Sequence, residues 1–150
     1  MRLWLKRIGI ATALLLVASQ LVPVNRNNPA VDVSRSIYMV QPVPPEVKAV
    51  FGRSCNDCHS NETAWPWYSY VAPVSWMVAR DVHEARKKMN FSEWGSYSAQ
   101  RKEDRLEEIC EQVTNGAMPD RKYAIFHRGA RLSPQERDAV CQWTEDSRQY

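Results

Sequence analysis

The sequence Cys55-Asn56-Asp57-Cys58-His59 determines how the rest of the chain is interpreted. Its C-x-x-C-H pattern is the attachment signature of a covalently bound c-type haem. When the two cysteines lie on one helical turn, each thiol can add to a vinyl group of the same porphyrin, and the histidine that follows lies under the iron. We therefore expect one haem c attached through Cys55 and Cys58, with His59 as the proximal iron ligand.

Two other sites use a C-x-x-C pair. One is a thioredoxin-like redox pair, which needs a βαβ context, and the other is half of a zinc site, which needs a second ligand pair at suitable spacing. The chain offers neither of these surroundings, so the haem interpretation is favoured.

The residues around the motif predict helices and no strands. Upstream, Pro44-Pro45 suits a helix start, and Val47, Val50 and Phe51 form an apolar stripe that leads into Cys55. Downstream, the pattern predicts a helix over 74–89 with four inward side chains: Trp76, Met77, Val82 and Met89. Asn90-Phe91-Ser92 then interrupts this helix, and Ser92 is expected to cap the turn that contains Trp94.

Two further helices have clear boundaries. The first covers about 99–114, and Asn115-Gly116 ends it as a left-handed cap would. The second begins with Ser133-Pro134 and has Glu136 at the third position, which completes a capping box. We therefore predict an all-α fold, a small cytochrome c-like helical domain wrapped around a covalent haem.

The N-terminus carries Arg2, Lys6 and Arg7 before an apolar run over 8–24. This pattern is typical of an export signal, either an uncleaved membrane anchor or a cleaved signal peptide. In both cases the rest of the chain is expected outside the cytoplasm, in the bacterial cell envelope. The domain would be anchored to the inner membrane and face the periplasm, or would be released into the periplasm if the signal is cleaved.

Composition gives three segments and excludes one class of partner. We predict a signal segment over 1–24, an extended proline-rich linker over 25–43 and a haem-binding domain over 44–150. Setting aside the three N-terminal cations leaves 17 basic and 17 acidic residues, so nucleic-acid binding has no support.

The sixth iron ligand determines what a haem does. Met118 is the leading candidate, because Gly116-Ala117-Met118-Pro119 is a restrained loop with small neighbours that allow close approach to a porphyrin. A thioether opposite His59 raises the reduction potential and suits single-electron transfer. The competing ligands are Met77, Met89, His83 and His127; the two methionines lie on apolar stripes where such residues normally fill space, and His83 has charged neighbours.

Several blocks of the chain resemble those of the bacterial haem-binding domain proteins, which are related to the small class I c-type cytochromes. The matching blocks, in chain order, are Cys55-x-x-Cys58-His59-Ser60-Asn61, Trp65-Pro66-Trp67-Tyr68, Ala72-Pro73-Val74-Ser75-Trp76, Asn90-Phe91-Ser92-x-Trp94, Gly116-x-Met118-Pro119 and Leu132-Ser133. The resemblance implies covalent haem on both motif cysteines and His59 as proximal ligand, and it favours Met118 as the distal one. Ala85 departs from the glycine that relatives commonly carry before Arg86.

The other two cysteines, Cys110 and Cys141, are expected to form a disulfide in an oxidising compartment, with two buried free thiols as the alternative.

The aromatic block Trp65, Trp67, Tyr68 and Tyr70 is expected either to line the haem pocket or to pack in the core. The charge run 86–88 is expected to be a solvated helix face rather than a docking site.

These features predict an electron carrier rather than an enzyme. Its partners would be redox proteins, together with the membrane that holds its N-terminal helix. The alternatives are a haem-based sensor and a peroxidase-like enzyme, both of which need a displaceable distal ligand.

Overall fold

The computed structural model describes residues 2–148, and every regular element in this range is helical. The α-helices are α1 (Arg2–Ser19), α2 (Ile37–Val40), α3 (Pro45–Ser54), α4 (Asn56–His59), α5 (Val74–Lys88), α6 (Ala99–Thr114), α7 (Arg121–Phe126) and α8 (Pro134–Arg148). Four 3-10 turns connect them: Val33–Arg35, Trp67–Tyr70, Phe91–Ser96 and Arg128–Ala130. The all-α prediction is confirmed.

Helices α3, α6 and α8 form the centre of the fold. Their apolar stripes meet in one core, in which Phe51 of α3 stacks on Phe91 at 4.9 Å between ring centroids and meets the edge of Trp143 of α8. A disulfide joins Cys110 of α6 to Cys141 of α8 and confirms the predicted bridge. The chain between these two cysteines carries the Met118 loop and α7, so the disulfide joins the two helices that flank this segment.

The ends of α6 and α8 follow the predicted local chemistry. Gly116 follows α6 with φ of +73°, the left-handed conformation in which glycine has no Cβ penalty. At the start of α8, the Ser133 amide donates to the Glu136 carboxylate at 2.8 Å and the Glu136 amide donates to Ser133 Oγ at 3.3 Å. This reciprocal pair is the capping box that the sequence predicts.

Two local predictions are wrong. Ser92 does not cap the turn that contains Trp94; the Asn90 carboxamide accepts from the Ser92 amide at 3.0 Å and caps it instead. Trp76 and Met77 of α5 are exposed, because the buried face of this helix is formed by Ser75 and Val82.

The segment 25–43, predicted as an extended linker, is extended only up to Asp32. Beyond it, α2 and the turn that precedes it pack on the turn Phe91–Ser96, and Ile37 is completely buried in the core. The hydroxyl of Ser36 accepts from the Tyr38 amide and starts α2, so a serine cap and one apolar anchor override the proline-rich composition.

Helix α1 forms where the apolar N-terminal run was expected, and none of its side chains is buried. Among residues 2–148, no helix combines the length and the apolar character that a membrane crossing requires. The predicted membrane helix is therefore not supported. After α1, the Gln20 carboxamide pairs with both the amide and the carbonyl of Ala72, at 3.0 and 3.2 Å.

Candidate haem-binding site

An apolar pocket lies where α3, α4 and α6 meet the loop that carries Met118. Its cavity volume is about 80 Å³, and the cavity opens to solvent at its mouth. The lining residues are Val50, Phe51, Ser54, Cys55, His59, Lys88, Met89, Phe91, Arg105, Glu108, Ile109, Gln112, Val113, Met118 and Val140. The pocket therefore brings together three of the four predicted site residues, namely Cys55, His59 and Met118.

The orientation of the His59 imidazole is fixed by its neighbours. Its Nδ1 lies 3.0 Å from the carbonyl oxygen of Met89, so Nδ1–H donates and Nε2 keeps its lone pair. Burial lowers the pKa of His59, which favours the neutral, ligating form of the imidazole. Phe91 packs beside the His59 ring, with 6.1 Å between centroids, and limits its rotation.

The two motif cysteines occupy different surroundings. Cys55, between α3 and α4, lines the pocket, whereas Cys58 is not among the lining residues and lies half-buried in α4. Burial raises the pKa of both thiols to about 12. A thioredoxin-like nucleophile requires a lowered pKa, so these neutral thiols do not support that alternative.

Met118 approaches the pocket from the loop after α6. Its amide donates to the carbonyl of Gln112 at 2.9 Å, which ties the loop back to the last turn of α6. The side chain reaches the pocket while 38% of the residue stays exposed. Met118 thus lies at the pocket mouth, held by its backbone rather than by surrounding core.

The competing ligands lie elsewhere or serve another role. Met77 and His83 of α5 are exposed and do not line the pocket. His127 lies outside the pocket, where its Nε2 is 2.8 Å from the Tyr68 hydroxyl and its ring stacks on Tyr123 at 4.1 Å. Met89 does line the pocket, and its carbonyl is the acceptor that orients His59.

None of the aromatic side chains of the block 65–70 lines the pocket or belongs to the hydrophobic core, so neither of the two expected roles is found. Trp67 and Tyr70 are exposed, and Tyr68 turns toward Phe126 and His127. The flat surfaces at the pocket come instead from Phe51 and Phe91, which the sequence presents as ordinary core residues.

Arg86 holds the segment after His59 in place, a role that the sequence did not predict. Its Nε donates to the Ser60 carbonyl at 2.7 Å, and its Nη2 donates to Thr63 Oγ1 at 2.7 Å and to Asn28 Oδ1 at 2.8 Å. Burial lowers its pKa. Arg86 therefore clamps the segment that follows His59 and is not part of a solvated face. A charge run gives no indication of this role.

The motif turn is also held through its two variable positions. The Tyr38 hydroxyl donates to Asn56 Oδ1 at 2.8 Å, and the Tyr123 hydroxyl donates to Asp57 Oδ2 at 2.7 Å. Both tyrosines come from elements far from the motif in sequence, so composition could not reveal these contacts.

The pocket fits a porphyrin on the chemistry of its donors. Its walls are mostly aliphatic and aromatic, one imidazole offers a free Nε2, a thioether reaches the mouth from another element, and a thiol lies beside the imidazole. No cluster of three or more His, Cys, Asp or Glu with metal-binding geometry occurs within the described range 2–148. A zinc site gains no support.

An all-helical fold with such a pocket defines a small haem-binding domain, and comparison with known families agrees. The model of the haem-binding domain family matches residues 14–146. The chain belongs to this family, and haem is its cofactor. Neither the comparison with curated proteins nor that with solved structures gave a match.

Proposed function

We propose that this protein is a monohaem cytochrome c that carries single electrons. The observation that supports this most directly is the arrangement of the pocket, which has the imidazole of His59 from α4 and the thioether of Met118 from the loop after α6. Haem iron with this ligand pair cycles between ferric and ferrous forms at a raised potential. The relationship to class I cytochromes is part of the proposal.

In this proposal the chain's own residues have distinct tasks. His59 provides Nε2 to the iron because the Met89 carbonyl occupies Nδ1–H. Cys55 and Cys58 form the thioether links, and their spacing of one turn is maintained by α4. Apolar residues of α3, α6 and α8 exclude water from the ring faces.

Covalent attachment is tested by a pyridine haemochrome assay on the full chain produced with a haem-attachment system. We expect the haem to remain with the polypeptide after acid–acetone extraction, and to be lost from Cys55→Ser/Cys58→Ser. A control double variant, Cys110→Ser/Cys141→Ser, should retain it. Haem extracted from the unaltered protein would show that binding is not covalent.

Axial ligation is tested by Met118→Ala, with Met77→Ala as the matched control because Met77 is exposed on α5. We expect Met118→Ala to lose the weak far-red band of thioether-ligated ferric haem and to have a lower midpoint potential. Met77→Ala should match the unaltered protein. An unchanged spectrum and potential in Met118→Ala would rule out Met118 as the distal ligand.

One observation favours a second function. Because Met118 is partly exposed and is held through its backbone, an external ligand could displace it, as a haem-based sensor or a peroxidase-like enzyme would require. Rapid binding of carbon monoxide to the ferrous protein supports this alternative, whereas slow or absent binding supports the electron carrier, which is not an enzyme.

We further propose that the N-terminal segment exports the domain and holds it at the membrane of the bacterial cell envelope, facing the periplasm. Supporting this, Leu14, Leu15 and Leu16 of α1 are exposed, after the cations Arg2, Lys6 and Arg7. There the domain would exchange electrons with redox partner proteins. Cell fractionation tests this: haem-containing protein in the cytosol would contradict export.

A further inference from the structure

The apolar pocket carries three charged side chains. Lys88 ends α5, while Arg105 and Glu108 lie one turn apart on α6, and all three line the pocket. Nη1 of Arg105 forms an ion pair with the Glu108 carboxylate. Two cations and one anion leave this otherwise apolar site with a net positive charge, which favours an anionic ligand.

The charges are confined to one end of the α6 stripe. The residues of α6 that line the pocket run from Arg105 to Val113, about 12 Å along the helix axis. Arg105 and Glu108 come first, and apolar Ile109 and Val113 follow, with Gln112 between them. Because the Met118 loop is tied to Gln112, the charged end of the stripe is the one remote from Met118.

Arg105 has a donor that the protein leaves unused. Its Nε is buried and has no hydrogen-bond partner among residues 2–148. A buried donor of this kind costs roughly 1–3 kcal/mol unless a ligand satisfies it, and the cost is larger for a charged group. An arginine that lines a cofactor pocket with a free, buried N–H is therefore a candidate to bind an acidic group of that cofactor.

We propose that Arg105 binds a haem propionate through Nε–H, with Lys88 as a second cation at the same site. The inference rests on haem binding in this pocket, and it is independent of whether attachment is covalent. Haem is an apolar disc with two carboxylates on one edge, so it matches a pocket whose α6 wall carries its charges at one end. Glu108 positions the guanidinium through Nη1 and leaves Nε for the propionate.

The proposal is tested by comparing two probes on the full chain produced without a haem-attachment system. The probes are ferric protoporphyrin IX and its dimethyl ester, which has the same ring and iron but no free carboxylates. Arg101→Gln is the matched control, because this substitution removes the same charge from the same helix. The Arg101 guanidinium lies over the Tyr97 ring and does not line the pocket. Circular dichroism reports whether each variant is folded.

We expect the unaltered chain and Arg101→Gln to bind the diacid at least about tenfold more tightly than the diester, the low end of the range for a hydrogen bond to a charged group. In Arg105→Gln this ratio should fall below about threefold, mainly through weaker diacid binding. Arg105→Lys, which keeps the charge and a single donor group, should give an intermediate ratio and serves in place of Arg105→Gln if that variant does not fold.

The outcomes separate this proposal from the proposed function. If the unaltered chain binds both probes equally, or if Arg105→Gln keeps the tenfold ratio, Arg105 does not bind a propionate although haem binding stands. The unaltered chain could also bind neither probe and yet be obtained in haem-loaded form with an attachment system. In that case the proposal is tested on the haem-loaded protein, by measuring the ferrous-to-ferric ratio. There Arg105→Gln should lower the ferrous-to-ferric ratio at fixed potential at least about threefold, or about 28 mV at 59 mV per tenfold, and an unchanged ratio overturns the proposal.

Discussion

Replacing Arg86 with methionine tests whether a single guanidinium stabilises the segment that follows the haem motif. Methionine keeps most of the side-chain length and removes the donors to the Ser60 carbonyl, Thr63 Oγ1 and Asn28 Oδ1. Ser60 and Thr63 are buried, so water cannot readily replace the lost bonds, whereas the bond to Asn28 is exposed.

The expected loss can be estimated from these contacts. A hydrogen bond to a charged group contributes about 1.5 kcal/mol at the low end of its usual range, so the two part-buried bonds together contribute about 3 kcal/mol. This corresponds to roughly a 150-fold change in the folding equilibrium. The exposed bond to Asn28 adds little.

The assay is urea unfolding of haem-loaded protein, followed by circular dichroism, with Arg80→Met as the control. The Arg80 side chain is 72% exposed and, among residues 2–148, forms an ion pair only with Asp81, so its removal should cost less than about 0.5 kcal/mol. Arg86→Lys should fall between the two because one ammonium cannot reproduce the arginine fork. The clamp is refuted if Arg86→Met and Arg80→Met unfold at the same urea concentration with equal slopes.

Three further perturbations follow from the structure. Cys110→Ser/Cys141→Ser opens a crosslink with a sequence separation of 31 residues and should lower the free energy of unfolding by about 4 kcal/mol on the chain-entropy model, measured by thermal unfolding without reductant. Glu136→Gln should be less stable at pH 7; the Ser133 amide holds the pKa of Glu136 below 4.5, so the advantage of the unaltered chain disappears as the pH falls through that depressed value. Tyr38→Phe should cost about 1 kcal/mol at neutral pH; burial raises the pKa of Tyr38 to about 12, so the difference between the two proteins should shrink as the pH rises from 10 to 12.

The features that were predictable from sequence depend on residues close together in the chain. The bounds of α6 follow from its apolar period and from the glycine that ends it, and the start of α8 follows from a capping box three residues long. The motif likewise identifies His59 through local spacing alone. Such features need only the geometry of one helical turn.

The failures concern contacts between distant segments. In α5 the largest apolar side chains, Trp76 and Met77, were expected inside, but the buried residues of this helix are Ser75 and Val82. Side-chain size was therefore a misleading criterion for the buried face of α5. The composition of the segment 25–43 suggests a tether, but the buried Ile37 and the hydrogen bond from Tyr38 to Asn56 dock its second half on the domain.

The C-x-x-C-H pattern leaves two positions free, and this chain uses both to fix the turn. Asn56 accepts a hydrogen bond from Tyr38 and Asp57 accepts one from Tyr123, so the turn is held from two sides by elements remote in sequence. His59 is held separately, by the Met89 carbonyl. All of these contacts are made by protein atoms, so the protein itself orients the His59 imidazole. In the proposed function the motif provides the atoms that bind haem, and Tyr38, Tyr123 and Met89 position the turn that carries those atoms.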